Sequence, residues 1–475
     1  MKCTLLRRYL ISYLTDVEGD FRYFNRFVDM SRVVTRDNGK YRLRGADSHF
    51  VFGGDSFDLG GGDWALSDAL LQLKADYPER VHLILGNRDV NKMVFRTSLD
   101  RHLERLSPAE AHRAVYAVES PIQQRAMGYA EYLEKQGLPP RTTMPTFMKW
   151  LFRCRMGSPN VFEDRRAEIA QRRRCDTGAV TDEEVIEHFM ASAAAEGGMV
   201  YRYLQQGQMA ALIGRSLFVH GGVTWQNVGY CPYPFSAAAA YSATALLPGT
   251  MHASAPEWVA ALNRLTREGF EEWVAHPHRA PDGSRTGGEY LRSFAYRYTP
   301  VLYSVMVNSP INPTTLCPID REAGQYLFDN GIDTVCCGHQ PTGDSPTLVA
   351  TEQGGFVIVA DNSYCAADNS RGQAVAEVLL EQDARRPDRR VQVHIRGSHA
   401  DGRPFEYSVP PKGDRIAPLL GRPLPDGWWT KMPSADRTHI VCHKTTNRFF
   451  SIQYKELPVE AVEQYLRHRE GGPNG

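Results

Sequence analysis

Five separate stretches of this chain set oxygen or imidazole donors beside glycine: Asp16-Val-Glu18-Gly, Gly54-Asp55-Ser-Phe-Asp58, Gly86-Asn87-Arg88-Asp89, His220-Gly-Gly222 and Gly338-His339-Gln-Pro341. Carboxylates, an amide and histidines in one site would suit a hard or borderline divalent ion such as Mn, Fe, Zn or Mg, and not a thiolate centre. Two such ions about 3.5–4 Å apart can hold a bridging hydroxide and clamp a phosphoryl oxygen for in-line attack. Taken singly, each residue has a plainer explanation. An Asp after a strand commonly starts a turn, and a His beside glycine is commonly incidental. Asp16, Glu18, Asp55, Asn87, His220 and His339 follow successive apolar runs in five glycine-marked loops, and this joint pattern makes coincidence a poor account.

The runs before these residues read as buried strands. Tyr9–Thr15 precedes Asp16, His49–Phe52 precedes Asp55, and Val81–Leu85 precedes Asn87. Leu217–Val219 leads into His220, Asp333–Cys337 into His339, and Phe356–Ala360 into Asp361. Between them lie helical patterns: Phe21–Met30, and Leu66, Leu70, Leu73 and Tyr77 at helical spacing up to Pro78. Strand-helix alternation predicts an α/β sheet with crossover helices. In such sheets ligands sit beyond the carboxyl ends of the strands, where these donors fall.

From about Lys92 to Gly214 the pattern changes to Arg-, Glu- and Ala-rich helix without strong strands. Thr181 with Glu184 makes a capping box. This stretch reads as an inserted helical cap. Beyond Arg371, β-prone segments (Val391–Ile395, Phe405–Val409, His439–Cys442) precede a closing helix over Val459–His468, with Pro410–Pro433 read as loop. The expected division is 1–91 and 215–370 as two halves of one domain, 92–214 as the cap, and 371–475 as a sheet extension or small β-rich appendage.

Bulk composition narrows the function class. Charged residues are 23% and apolar ones 42% of 475, as in ordinary globular proteins. The 55 basic residues equal the 55 acidic ones, so no global charge favours nucleic acid or an anionic membrane. Clusters such as Arg172–Arg174 and Arg385, Arg386, Arg389 and Arg390 read as solvated faces. Nine scattered cysteines without Cys-x-x-Cys argue against a disulfide framework and for a reduced, cytoplasmic setting. Neither the basic start nor the small-residue stretch Ala237–Leu247 reads as a signal or membrane span.

In order and spacing, the five stretches resemble the motifs of calcineurin-like metallophosphoesterases, with most likeness to the phosphoprotein-phosphatase branch that includes Ser/Thr phosphatases and diadenosine tetraphosphate hydrolases. The resemblance covers Asp16 to about Asp361. It implies a four-layer α/β/β/α sandwich with two divalent ions, Mn foremost. Asp16, Glu18 and Asp55 would hold the first; Asp55 as a bridge, Asn87, His220 and His339 the second. Asp58, Arg88 and Asp89 would be catalytic, and Asp361 would support a ligand or loop.

Three positions depart from the family. Glu18 stands where a His is usual, and still offers oxygen. Arg88 replaces the His that helps protonate the leaving group, which a guanidinium cannot do; a bidentate phosphate clamp is the expected substitute role. Leu59 stands where a phosphate-contacting Arg is usual. His49, His82 and His443 are the alternative proton donors. The resulting expectation is a phosphoesterase for a phosphomonoester, protein-borne or small, with a nucleotide or dinucleoside polyphosphate hydrolase and a catalytically impaired metal-binding scaffold for protein partners as rivals. Neither nucleic acid nor membrane is an expected partner.

Overall fold

The computed structural model describes residues 8–115, 125–194, 197–232, 249–277, 287–295, 303–311, 316–365, 370–383, 386, 389–409, 414–445 and 452–470. Ala237–Leu247 and Arg385 lie outside these ranges. No helix among the described residues is long and apolar enough to cross a membrane.

Chain order begins with β1 (Tyr9–Leu14), the hairpin β2 (Val34–Asp37) and β3 (Lys40–Leu43), β4 (Ser48–Phe52) and β5 (Val81–Leu83). It continues with β6 (Ala210–Ile213), β7 (Ser216–Val219), the short pair β8 (Tyr230–Cys231) and β9 (Thr250–Met251), then β10 (Thr334–Cys337), β11 (Thr347–Ala350) and β12 (Phe356–Val359). Last come β13 (Val375–Gln382), β14 (Gln392–Ser398), β15 (Pro404–Val409), β16 (Trp429–Pro433), β17 (His439–Thr445) and β18 (Ile452–Pro458).

Two mixed sheets form the centre, ordered β15-β14-β13-β1-β4-β5 and β11-β12-β10-β7-β6. Strands β1, β4 and β5 run parallel in the first sheet, and β7, β10 and β12 in the second. Alternate residues of each strand point to opposite faces. Ile11, Tyr13, Val51, Phe218, Cys336, Ile358, Val378 and Leu380 form one buried cluster between the sheets. Across that interior, the rings of Tyr13 and Phe218 lie 5.7 Å apart. The other faces are apolar too: Phe50 and Phe52 pack with Phe24, Phe27, Leu66 and Leu70 of the helices Phe21–Met30 and Asp63–Asp76. Leu217, Val335 and Val357 join Trp258, Leu262 and Leu327 of the helices Ala255–Ala275 and Arg321–Asp329. The result is an α/β sandwich, helices outside and two sheets within. Burial on both faces explains why these strands are continuous apolar runs.

Three segments differ from the sequence reading. The region read as helical to Gly214 returns to the sheet earlier, since Ala210–Ile213 is β6, paired antiparallel with β7. Strand β13 was not anticipated, yet it lies beside β1 in the first sheet. Its apolar run is interrupted by the buried Glu377, which accepts from Ser12 Oγ (2.7 Å) and Ser31 Oγ (2.6 Å) and pairs with Arg396 (3.2 Å). Within the Pro410–Pro433 stretch, read as loop, Trp429–Pro433 is β16, in a separate sheet ordered β16-β17-β18. Met432, Ile440 and Val462 anchor this sheet and the last helix to the inter-sheet core.

Helices from Pro108 to Gln206 supply most of the inserted region. Thr181 and Glu184 form the anticipated capping box. Arg165 pairs with Asp63 at 2.8 Å, and Glu168 accepts from Trp64 N at 2.9 Å. These contacts fasten the insertion to the loop carrying Asp55 and Asp58.

Candidate metal centre

Each parallel strand ends in a turn that carries polar residues. Asp16 and Glu18 follow β1, Asp55 and Asp58 follow β4, Asn87 to Asp89 follow β5, and His220, His339 and Asp361 follow β7, β10 and β12. Backbone strain concentrates here. Asp16 (φ 52°), Glu18 (52°), Asp55 (54°), Asp58 (114°) and His339 (71°) all occupy positive φ, which non-glycine residues rarely adopt. Such strain clusters at functional sites, where surrounding contacts enforce it. Glycine is required twice over. Gly54 (φ 102°) leaves no room for a Cβ against Gly86 N and His220 Nδ1, and a Cβ at Gly338 would strike Asp16 Oδ2.

One set of donors converges well. Ligating atoms of Asp55, His220 and His339 all lie within 4.8 Å of one another, and the two imidazole centroids are 5.4 Å apart. His220 Nδ1 donates to Gly53 O at 2.8 Å, which leaves Nε2 as the bare nitrogen. That nitrogen is 3.3 Å from Asp55 Oδ1 and 3.3 Å from Asn87 Oδ1. Burial alone would raise the Asp55 carboxyl, but His220, Arg88 and His339 outweigh it and hold it well below the usual range. Burial likewise opposes charge on His220, yet Asp55 and Asp16 lift it to about 10. The buried carboxylates thus favour a cation at Nε2, which a proton or a metal ion can supply in competition. Two imidazoles, a carboxylate and an amide oxygen fit a divalent ion.

At the expected first position both carboxylates have partners within the protein. Glu18 Oε1 is 2.7 Å from Arg88 Nε, with only 5% of the Glu18 side chain and 13% of the Arg88 side chain exposed. Burial raises the Glu18 carboxyl to about 7 despite the guanidinium beside it. Asp16 is turned to other partners: Thr15 Oγ1 donates to it at 2.6 Å, and His339 N reaches both its oxygens at 3.1 Å.

Arg88 is held on every side. Besides Glu18, its Nη1 donates to Met156 O (3.0 Å) and Ser158 Oγ (2.9 Å), and Nη2 to Tyr364 Oη (3.1 Å). Asp58 Oδ2 (3.5 Å) and Asp55 Oδ2 (3.7 Å) complete its surroundings. Four of its five N–H donors are therefore engaged. The bidentate phosphate clamp expected from the sequence has no second donor to offer.

Asp89 and Asp58 are also turned inward. Asp89 accepts from Gly86 N (2.8 Å), Asp55 N (3.0 Å), Ser56 N (2.8 Å) and Ser56 Oγ (2.5 Å), tying the β4 and β5 loops together. Burial and then Asp55 raise its carboxyl to about 6. Asp58 Oδ2 receives the buried Lys92 Nζ at 2.7 Å. Asp361 accepts from Ser363 N (2.9 Å) and Oγ (2.6 Å), shaping the turn after β12. Arg371 returns to this turn, donating to Asn362 Oδ1 (2.9 Å) and to Asp16 O (2.6 Å).

Lys92, Ser158, Tyr364 and Arg371 were not singled out in the sequence. Lys92 lies one helical turn beyond Arg88, a signal available in hindsight; the others come from distant segments and carry no local mark. His49, His82 and His443 are not brought to the centre. His49 and His82 stack at 5.8 Å near the starts of β4 and β5, and His443 is buried on β17. Burial first, then neighbouring cations, depress the latter two, His82 to about 4.

No protein-family model matches the sequence, and no curated protein sequence matches it. Among solved structures, a cold-active protein-tyrosine phosphatase of a Shewanella species is 12% identical, with 84% of this chain and 80% of that one covered and a TM-score of 0.38. A protein serine/threonine phosphatase of Saccharomyces cerevisiae is 12% identical over 79% and 73%, TM-score 0.33. A metallophosphoesterase of Sphaerobacter thermophilus is 12% identical over 84% and 88%, TM-score 0.26. The likeness is loose, and no residue assignment follows from it.

Proposed function

We propose that this chain is a metal-dependent phosphoesterase of the calcineurin-like type, cleaving a phosphomonoester of a protein or small molecule. The observation that carries this reading is the convergence of Asp55, Asn87, His220 and His339 from four different strand ends on one place. These residues would hold a divalent ion, Mn foremost, which when bound supplies Lewis acidity toward a phosphoryl oxygen. The chain's own groups prepare that place. Gly53 O fixes the His220 ring through Nδ1, and Asp89 holds the Asp55 backbone. The remaining Nη2–H of Arg88 is the donor available to a phosphoryl oxygen. The guanidinium cannot supply the proton that the family's histidine would, so good leaving groups should react best.

The cap bears on the choice among substrates. Of its described aromatic residues, Tyr129, Phe147, Trp150, Phe152 and Phe189 are buried in the cap's own core. They are thus poorly placed as a stacking platform for a base, which favours a phosphomonoester over a nucleotide. One observation favours the scaffold reading, namely the Glu18–Arg88 pair in place of the two histidines usual in the family. The test is hydrolysis of p-nitrophenyl phosphate by chelator-stripped protein with added Mn, Mg, Zn or Fe, with Asp55→Asn as control. Metal-dependent turnover lost in the variant supports the hydrolase. Metal binding without turnover of aryl phosphates or phosphoanhydrides would leave the scaffold.

A further inference from the structure

The geometry points to a mononuclear centre: a single divalent ion at Asp55, Asn87, His220 and His339, with the Arg88 guanidinium standing as a fixed cation where a second ion would otherwise lie. This rests on the metallohydrolase reading and replaces the two-ion expectation.

Three observations carry it. The first is position. Asp55 turns Oδ1 to His220 Nε2 at 3.3 Å and to the Arg88 backbone N at 2.8 Å, and Oδ2 to Arg88 Nε at 3.7 Å. A bridging carboxylate would present one oxygen to each ion; here it presents one to the imidazole cluster and one to a guanidinium. The second is ligand engagement. Glu18, the residue expected to complete the first position, has its Oε1 2.7 Å from Arg88 Nε, and Asp16 accepts from Thr15 Oγ1 and the His339 backbone. Freeing Glu18 for a metal would break a buried ion pair and leave a buried guanidinium without its nearest anion, which is strongly unfavourable.

The third is charge. Glu18 and Asp58 are matched by Arg88 and Lys92. Asp16, Asp55, Asp89 and Asp361 then remain, all buried, with Arg371, which also lies 3.8 Å from Asp20, as the cation against their loops. The residual negative charge calls for a divalent ion, whereas Glu18 and Asp58 already have their cations in Arg88 and Lys92. The guanidinium is also fixed as a built part of the fold would be: Met156 O and Ser158 Oγ of the helical insertion and Tyr364 Oη after β12 all accept from it. The insertion, on this account, helps hold the internal cation in place.

The experiment is metal content and Mn(II) electron paramagnetic resonance on the full chain, stripped with chelator, loaded with excess Mn(II) and desalted. The expected result is a single ion per chain with the hyperfine pattern of an isolated Mn(II). Glu18→Gln should leave that content unchanged, whereas His220→Ala should lose the ion. In the double variant Glu18→His, Arg88→His, a second ion should bind and the spectrum should become that of an exchange-coupled pair. Two ions in the unmodified chain with a coupled spectrum would overturn the mononuclear assignment while leaving the metallohydrolase reading intact. No bound metal would overturn both. A folded double variant that still holds a single ion would overturn the role given to Arg88. Should the double variant fail to fold, the unmodified chain and Glu18→Gln decide the question.

Discussion

Arg165→Met should destabilise the protein by about 3–5 kcal/mol, because it strands a buried carboxylate. Asp63 and Arg165 meet at 2.8 Å with 6% and 2% of their side chains exposed. Burial raises the Asp63 carboxyl even with Arg165 pulling it down. The other Asp63 oxygen accepts from Asp58 N at 2.9 Å, so the pair also fixes the loop below the centre. Methionine keeps much of the arginine's volume and removes only its charge and donors. For a chain this long the entropy of unfolding is roughly 1 kcal/mol/K, so the midpoint should fall by about 3–5 °C if the chain melts as a unit. Asp63→Asn retains an acceptor for Asp58 N without the charge. The double variant should therefore recover at least about 1.5 kcal/mol relative to Arg165→Met alone. The pH dependence has a definite sign. Without Arg165 the Asp63 carboxyl rises further above its unfolded value, so its cost is fully present at neutral pH and is relieved as pH falls through the raised value. The gap between variant and parent should narrow on acidification. Urea and thermal unfolding at several pH values measure this. A loss under about 1 kcal/mol at pH 7, or a gap that widens in acid, would refute the reasoning.

Gly338→Ala should lower metal affinity at least about tenfold while the sandwich stays folded, since the new Cβ displaces Asp16 and, through it, the His339 backbone; calorimetric titration with Mn(II) checks this. Asp89→Ala removes the acceptor of three buried backbone N–H groups and should cost at least about 2 kcal/mol, read from urea midpoints. Lys431 is buried, donates to Thr342 O, Ser345 O and Thr347 Oγ1, and is depressed to about 7 by burial, which Asp344 and Cys365 only partly offset. Its folded form binds fewer protons than the unfolded chain between that value and the ordinary lysine range. Stability should therefore rise with pH across that window, and this component should be absent in Lys431→Met; melting curves from pH 6.5 to about 10 test it.

The sandwich was legible where burial makes simple patterns. Strands covered on both faces are unbroken apolar runs ending at glycine, and the helix Phe21–Met30 falls where its apolar face placed it. The same strand ends exposed the donors Asp55, Asn87, His220 and His339. Strand β13 was hidden because Glu377 interrupts its apolar run, and its tolerance depends on Ser12, Ser31 and Arg396 from three other segments. The hairpin β2–β3 did carry a local mark, Asn38-Gly39 with φ 49° and 78°, the turn type that such pairs favour. At the centre, sequence alone showed that Glu18 and Arg88 were unusual but not that they pair. Pairing depends on a turn that puts Glu18 at positive φ and on acceptors as distant as Ser158 and Tyr364.

The most direct measurement is anomalous X-ray scattering from crystals of the zinc- or manganese-loaded protein. The expected map has a peak ligated by His220 Nε2, His339, Asp55 and Asn87, with metal–nitrogen distances of about 2.1 Å for zinc. A loaded crystal with its metal bound elsewhere, or with no peak among these four residues, would contradict it.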